Sequence, residues 1–220
     1  MKKLIFLIGN LILGSLLSVY ADSPVTSTYW ADKYKEVALI AKRIEKNKKG
    51  DQVLTDEELN FLLDDKIPFA HRVTLINANG WNINGLNNMK NFLLKLLKKY
   101  GVKTENELIE KANEYDLMVW AYLLVMDDYF KVEKPFALAM KSFEILTNKV
   151  EKPSLAFFMI LVIIKGQGYL DNMNLWCDIY KNYEAVMILN NKGSLIKDFK
   201  NEALEAINEY LGIYKETCNE

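Results

Sequence analysis

The single histidine, His71, limits the chemistry open to this chain before any fold is considered. A metal site with two imidazole ligands is excluded. What is left is a nucleophile–histidine dyad with a serine or with Cys177 or Cys218, and no sequence motif supplies such a partner. His71 follows Phe69 by two residues on a short helical pattern, which predicts a partly buried, hydrogen-bonded imidazole rather than a catalytic one. The acidic pairs Asp64-Asp65 and Asp127-Asp128 are adjacent in sequence. Neighbours on a helix point about 100° apart, so neither pair faces one substrate as acid and base, and both are expected as solvated helix ends. Residues 47–58 place Asp51, Leu54, Thr55 and Glu58 near the spacing of a calcium loop, but Lys49 falls where a carboxylate should bind the ion and Gln52 replaces the turn glycine. That stretch is expected to be a solvated turn into a helix. There is no phosphate-cradling glycine loop, no metal-spaced Cys or His set and no nucleophile elbow, so no catalytic, cofactor or metal residue is assigned.

Two features could carry binding or covalent structure. Trp81 sits in an asparagine-rich stretch, residues 77–88, with Asn-Gly pairs at Asn79-Gly80 and Asn84-Gly85 around Trp81 and Ile83. A connection of that length holding a tryptophan either presents a partner-binding anchor or pins itself by turning the indole inward. Cys177 and Cys218 form either an intramolecular bridge or two separate thiols. If residues 194–216 made one helix antiparallel to its predecessor, the arms around Gly193 would be unequal and leave the sulfurs about 15 Å apart, at about 1.5 Å per residue. A bridge then requires the last helix to bend or end early, because its Cα atoms must lie within about 7 Å.

The 220 residues balance 28 basic against 29 acidic side chains and are half hydrophobic, which excludes a disordered polymer and a basic nucleic-acid binder. Lys2-Lys3, the apolar run of residues 4–17 and Val19-Tyr20-Ala21 follow the order of a secretory signal, with cleavage expected after Ala21. Fourteen helical residues span about 21 Å, short of the roughly 30 Å of a bilayer core. The expectation is therefore an exported chain, bacterial in style, periplasmic or extracellular, with no membrane span once residues 1–21 are removed. Residues 22–220 are expected to form one domain.

The elements that position these residues read as helices throughout. Trp30, Tyr34, Val37, Ala41 and Ile44 keep the spacing of one helix face, with charged residues filling the other side and Gly50 as the stop. Thr55 to Glu58 and Thr104 to Glu107 are capping boxes. Pro68 opens a helix whose inner face is Phe69, Val73 and Ile76. Leu86, Met89, Leu93, Leu97 and Tyr100 form the face of another, closed by Gly101, and Asp116 is placed to cap its successor. Residues 117–126 and 155–164 are uninterrupted apolar runs that predict central helices buried all round, with the core concentrated after Asp116 and Gly166-Gln167-Gly168 as a turn.

Trp120, Leu123 and Leu124 are followed by Ala139, Phe143, Leu146 and Pro153; about 37 or 38 residues later Phe158, Leu161 and Val162 are followed by Trp176, Tyr180 and Tyr183. Residues 117–190 thereby resemble the tetratricopeptide repeat, with Ala139-x3-Phe143 and Pro153 matching its second helix and closing proline. Leu124 stands where the family has a small residue, and Pro153 has no counterpart in the second unit. The resemblance implies antiparallel helical hairpins, in the extended form a short right-handed α-solenoid over residues 117–216, and a groove that binds a protein or peptide. The leading expectation is a non-enzymatic, exported all-α protein that binds such a partner. The alternative is a cell-envelope hydrolase whose carboxylate is not identifiable from sequence.

Overall fold

Each segment that begins with a short polar side chain able to bond the first free backbone amides starts a helix. In the computed structural model, which describes residues 23–82, 87–149 and 152–219, the Thr55 and Thr104 boxes are both made: each threonine accepts from the backbone of Glu58 or Glu107, whose carboxylate returns to the threonine. The chain is all-α. Among the described residues the helices are α1 (Pro24–Ser27), α2 (Ala38–Lys48), α3 (Asp56–Leu63), α4 (Phe69–Asn79), α5 (Asn88–Tyr100), α6 (Glu105–Lys111), α7 (Glu114–Asp127), α8 (Glu133–Thr147), α9 (Leu155–Tyr169), α10 (Trp176–Asn191) and α11 (Asn201–Leu211). Tighter 3-10 turns occupy Ala31–Tyr34, Met173–Leu175 and Gly212–Asn219. The segment expected as an export signal lies outside the described residues. Among the described residues no helix is long and apolar enough to cross a membrane.

The apolar runs 117–126 and 155–164 lie within α7 and α9, and every residue of both is buried except the half-buried Phe158. Burying one large aliphatic or aromatic side chain contributes about 1.5–3 kcal/mol, so these two helices supply much of the driving force. The start of α7 meets the end of α8: Ser142 Oγ donates to the Glu114 carbonyl, and Lys149 Nζ pairs with the Glu114 carboxylate at 2.5 Å. The core is not confined to the region after Asp116. It runs from Val25 to Tyr214 and includes Trp30, Tyr34, Ile40 and nearly all of α4.

Several helices depart from the sequence pattern. The face that starts at Trp30 is split between the Ala31–Tyr34 turn and α2, with Val37 extended between them. On α2 the expected charged side holds Arg43, which is fully buried. On α5 the buried line is Asn88, Phe92 and Leu96, so the face is rotated from the expected one: Leu93, Leu97 and Tyr100 flank it and Met89 is exposed. Gly101 does stop this helix, at φ 64° in the left-handed region where glycine carries no Cβ penalty. Asn113, not Asp116, caps α7. Residues 77–79 continue α4 and Asn88 opens α5, so the irregular stretch is shorter than expected; Ile83, Asn84, Gly85 and Leu86 lie outside the described residues.

Gly166-Gln167-Gly168 is not a turn but the last part of α9. Its neighbours explain the glycine. A Cβ on Gly166 would stand 3.0 Å from Pro24 Cγ and 3.1 Å from Ile179 Cγ2, so α1 and α10 approach the backbone of α9 there. Gln167 is buried beside it, accepting from Val25 N at 3.3 Å and donating to the Tyr129 carbonyl at 3.2 Å.

Residues 194–216 do not form one helix. Residues 194–200 run extended beside the start of α9, where Leu155 N donates to the Ile196 carbonyl and Ile196 N to the Pro153 carbonyl. Asp198 bonds Ala156 N at 3.1 Å and Ser154 Oγ at 2.6 Å, so it caps α9 from a distant part of the chain. The helix therefore starts only at Asn201 and gives way to a 3-10 turn at Gly212. Unequal arms require an unbroken helix, and without one Cys177 and Cys218 come together as a disulfide with Cα atoms 4.7 Å apart.

Replacing both cysteines by serine should lower the unfolding free energy by about 2–4 kcal/mol in urea titrations, and the unreduced protein should show no free thiol; titratable thiols in the native protein would contradict the bridge. Gly166→Val should cost about 1–3 kcal/mol through overpacking. Gly168→Ala, whose Cβ would meet Phe136 at an ordinary 3.7 Å, should be neutral or stabilising by up to about 1 kcal/mol.

Candidate functional site

His71 lies half-buried on α4, its ring edge-on to Tyr34 with centroids 5.7 Å apart. It lines a surface cleft of about 480 Å³ with Tyr34 and residues 197–202. Burial lowers the His71 pKa, with the Glu36 carboxylate opposing and the Lys200 ammonium reinforcing that effect. Lys200 itself bonds Glu36 at 2.7 Å and lies 4.9 Å above the Tyr34 ring. No serine or cysteine lines this cleft, and the two cysteines are bonded to each other, so the structure does not assemble a nucleophile with His71.

The acidic pairs separate into structural roles. Asp64 accepts from Lys66 N in a turn, and Asp65 pairs with Lys99 at 2.9 Å. Asp128 pairs with Lys131. Asp127 is buried rather than solvated and accepts from Met89 N at 2.9 Å and from the Asn88 side chain, closing the start of α5. In residues 47–58, Asp51 and Glu58 face the buried Arg43 guanidinium, at 3.7 and 3.2 Å. Glu58 serves as box carboxylate and as counter-ion together, which places a cation where a calcium loop would need its metal.

Trp81 is neither turned fully inward nor free. It is 38% exposed, with its ring edge-on to Tyr129 at 5.2 Å, while Phe130, 67% exposed, lies against the same tyrosine at 4.3 Å. Its carbonyl accepts from Gln52, and the next residue, Asn82, donates from its backbone to the Met126 carbonyl. The indole pins its connection to the end of α7 and keeps one edge at the surface.

Two grooves flank α10. On one side α10 and α11 enclose about 430 Å³ over Tyr180, Tyr183, Met187 and Leu204, with Glu184 and Glu205 on the two walls. Both glutamates are exposed to solvent. On the other side α8, α9 and α10 form a cleft of about 170 Å³ lined by Met140 and Phe143, by Phe158, Leu161 and Val162, and by Ala185, Val186 and Leu189. Among the described residues this second cleft has no carboxylate and no imidazole in its walls. Its polar groups are Lys165, whose Nζ donates to Asn182 Oδ1 at 2.9 Å, and Asn182 itself. Phe143, Phe158, Leu161 and Val162 were legible as helix-face residues; their exposure to a common cleft was not. Lys165 was overlooked, although it is the one charged residue of α9 and ends its apolar run.

Burial also marks the phenols. The Tyr34 pKa is pushed up to about 12, chiefly by burial, against the bond that Lys200 N donates to its oxygen. Tyr100 and Tyr122 are raised above the ordinary phenol value for the same reason. Unfolded phenols ionise near pH 10, so the folded state holds these protons longer. The stabilisation is complete below about pH 10 and is lost as pH rises through about 12. Phenolate absorbance should therefore show a delayed fraction that appears with the loss of helical circular dichroism. Ionisation of every tyrosine in one step near pH 10, with the helix signal intact, would contradict it. No protein-family model, curated protein or solved structure matches this chain.

Proposed function

We propose that this chain is an exported, non-enzymatic helical protein that binds a protein or peptide partner, and that the partner docks in the cleft between α8, α9 and α10. The observation that carries the reading is the character of that cleft: a concave apolar wall from three helices, free of carboxylate and imidazole, with Leu189 37% exposed at its rim. Apolar surface of this kind gains from being covered. On this reading α7 with α8 and α9 with α10 are two helical hairpins of the repeat-like type, α11 closes their stack, and residues 1–21 act as the export signal. The Cys177–Cys218 bridge supports export, since such bonds persist in oxidising compartments.

The test has two parts. Expressed in a bacterial host, the full chain should be recovered outside the cytoplasm with Asp22 as its first residue; recovery in the cytoplasm with residues 1–21 intact would remove the export reading. Used as bait in an envelope fraction, the protein should retain a partner at fixed stoichiometry that the double variant Met140→Glu, Leu189→Glu no longer retains. Both positions lie at the cleft surface, so the variant should keep its helix signal. Identical capture by both baits would exclude this cleft as the docking site.

A further inference from the structure

Among the described residues, the cleft between α8, α9 and α10 contains a single charged group, and no carboxylate pairs with it. Lys165 Nζ donates to Asn182 Oδ1 at 2.9 Å and lies 6.0 Å from the centre of the Tyr169 ring. Asn182 is held in place by its own Nδ2, which donates to the Asp178 carbonyl at 2.5 Å. An ammonium carries three donors, and here a neutral amide takes one. Among the described residues no carboxylate stands within 4.0 Å of Lys165 Nζ. The contrast with other partly buried lysines is direct: Lys46 reaches Glu58 at 3.6 Å, and Lys99 reaches Asp65 at 2.9 Å and Asp116 at 2.7 Å.

We propose that this cleft recognises a peptide segment that sets one apolar side chain against Phe143, Phe158, Leu161 and Val186 and a carboxylate against Lys165. The inference rests on the partner-binding reading and narrows it to a ligand chemistry. Size selects the apolar part. A void of about 150 Å³ holds a benzene ring, so the 170 Å³ here suits one leucine or phenylalanine side chain and is too small to enclose a long acyl chain. Charge selects the rest. Burial lowers the Lys165 pKa, with only the more distant Asp178 carboxylate opposing, so the empty cleft carries a penalty for the ammonium that an incoming anion relieves. Beside an apolar wall, where Lys165 is partly withdrawn from water, a charge-assisted hydrogen bond is stronger than on an open surface.

The test uses three fluorescein-labelled probes: a pentapeptide ending in leucine with a free carboxylate, the same peptide as its carboxamide, and a carboxamide peptide with glutamate beside the leucine. Anisotropy is read against the purified protein with its disulfide intact. At least one carboxylate probe should bind about tenfold more tightly than the carboxamide, roughly the effect of one charge-assisted hydrogen bond in a half-buried site. Which one binds tells a chain terminus from an acidic side chain. Lys165→Gln should abolish the preference while leaving carboxamide binding unchanged, and Lys165→Arg should retain it. Equal binding of all three probes, weakened by Leu189→Glu, would overturn the carboxylate proposal and leave the docking cleft standing. No binding of any probe at millimolar concentration would overturn both.

Discussion

A polar side chain taken out of water is costly unless every bond it loses is replaced, and α4 places four of them in the core. Arg72, Thr74, Asn77 and Asn79 are all buried, and each is bonded to a different part of the chain. Arg72 Nε donates to the Leu62 carbonyl at the end of α3, and its guanidinium pairs with Asp116 on α7. Thr74 Oγ accepts the Trp30 indole N–H at 3.0 Å. The Asn77 side chain accepts from the backbone of Trp30 and Ala31 and donates to the Thr28 carbonyl and the Tyr122 hydroxyl. Asn79 accepts from Arg43 at 2.8 Å. One helix thereby fixes the N-terminal turns, α2, α3 and α7, and any other arrangement of those segments would leave buried polar groups unpaired.

The far end of the chain is tied to the same centre. Phe199 packs edge-on against Trp30 at 5.6 Å, and Lys200 N bonds the Tyr34 hydroxyl at 2.9 Å. With Asp198 capping α9, residues 194–200 link the N-terminal turns to the second buried helix. Their extended course determines where α11 begins, and the disulfide then fastens the last turn back to α10. That helix is consequently held on two flanks, by α9 on one and by the last 3-10 turn on the other, with a groove along each side.

Legibility from sequence followed the range of the interaction. The capping boxes at Thr55 and Thr104, the glycine stop at Gly101 and the buried runs in α7 and α9 depend on residues within one or two turns, and each is found where its pattern placed it. Arg43 has charged neighbours in sequence, which point to a charged side of its helix, but its partners Glu58 and Asn79 come from other helices. The same holds for Asp127 and Gln167, since what each bonds lies on a distant segment. At Gly166 local preference favours a turn, and no short-range signal reports the close approach of Pro24 and Ile179.

The all-α class, the helix starts at Thr55 and Thr104 and the two central apolar helices were determined by sequence alone, because backbone capping and 3.6-residue periodicity are local. Only tertiary structure decided that Cys177 meets Cys218, that a helix with four buried polar side chains is the hub, that Trp81 keeps one edge outside, and that a lone lysine ends up in an apolar cleft without a carboxylate. Those outcomes depend on the distance and direction between elements far apart in sequence, where partners are chosen by geometry.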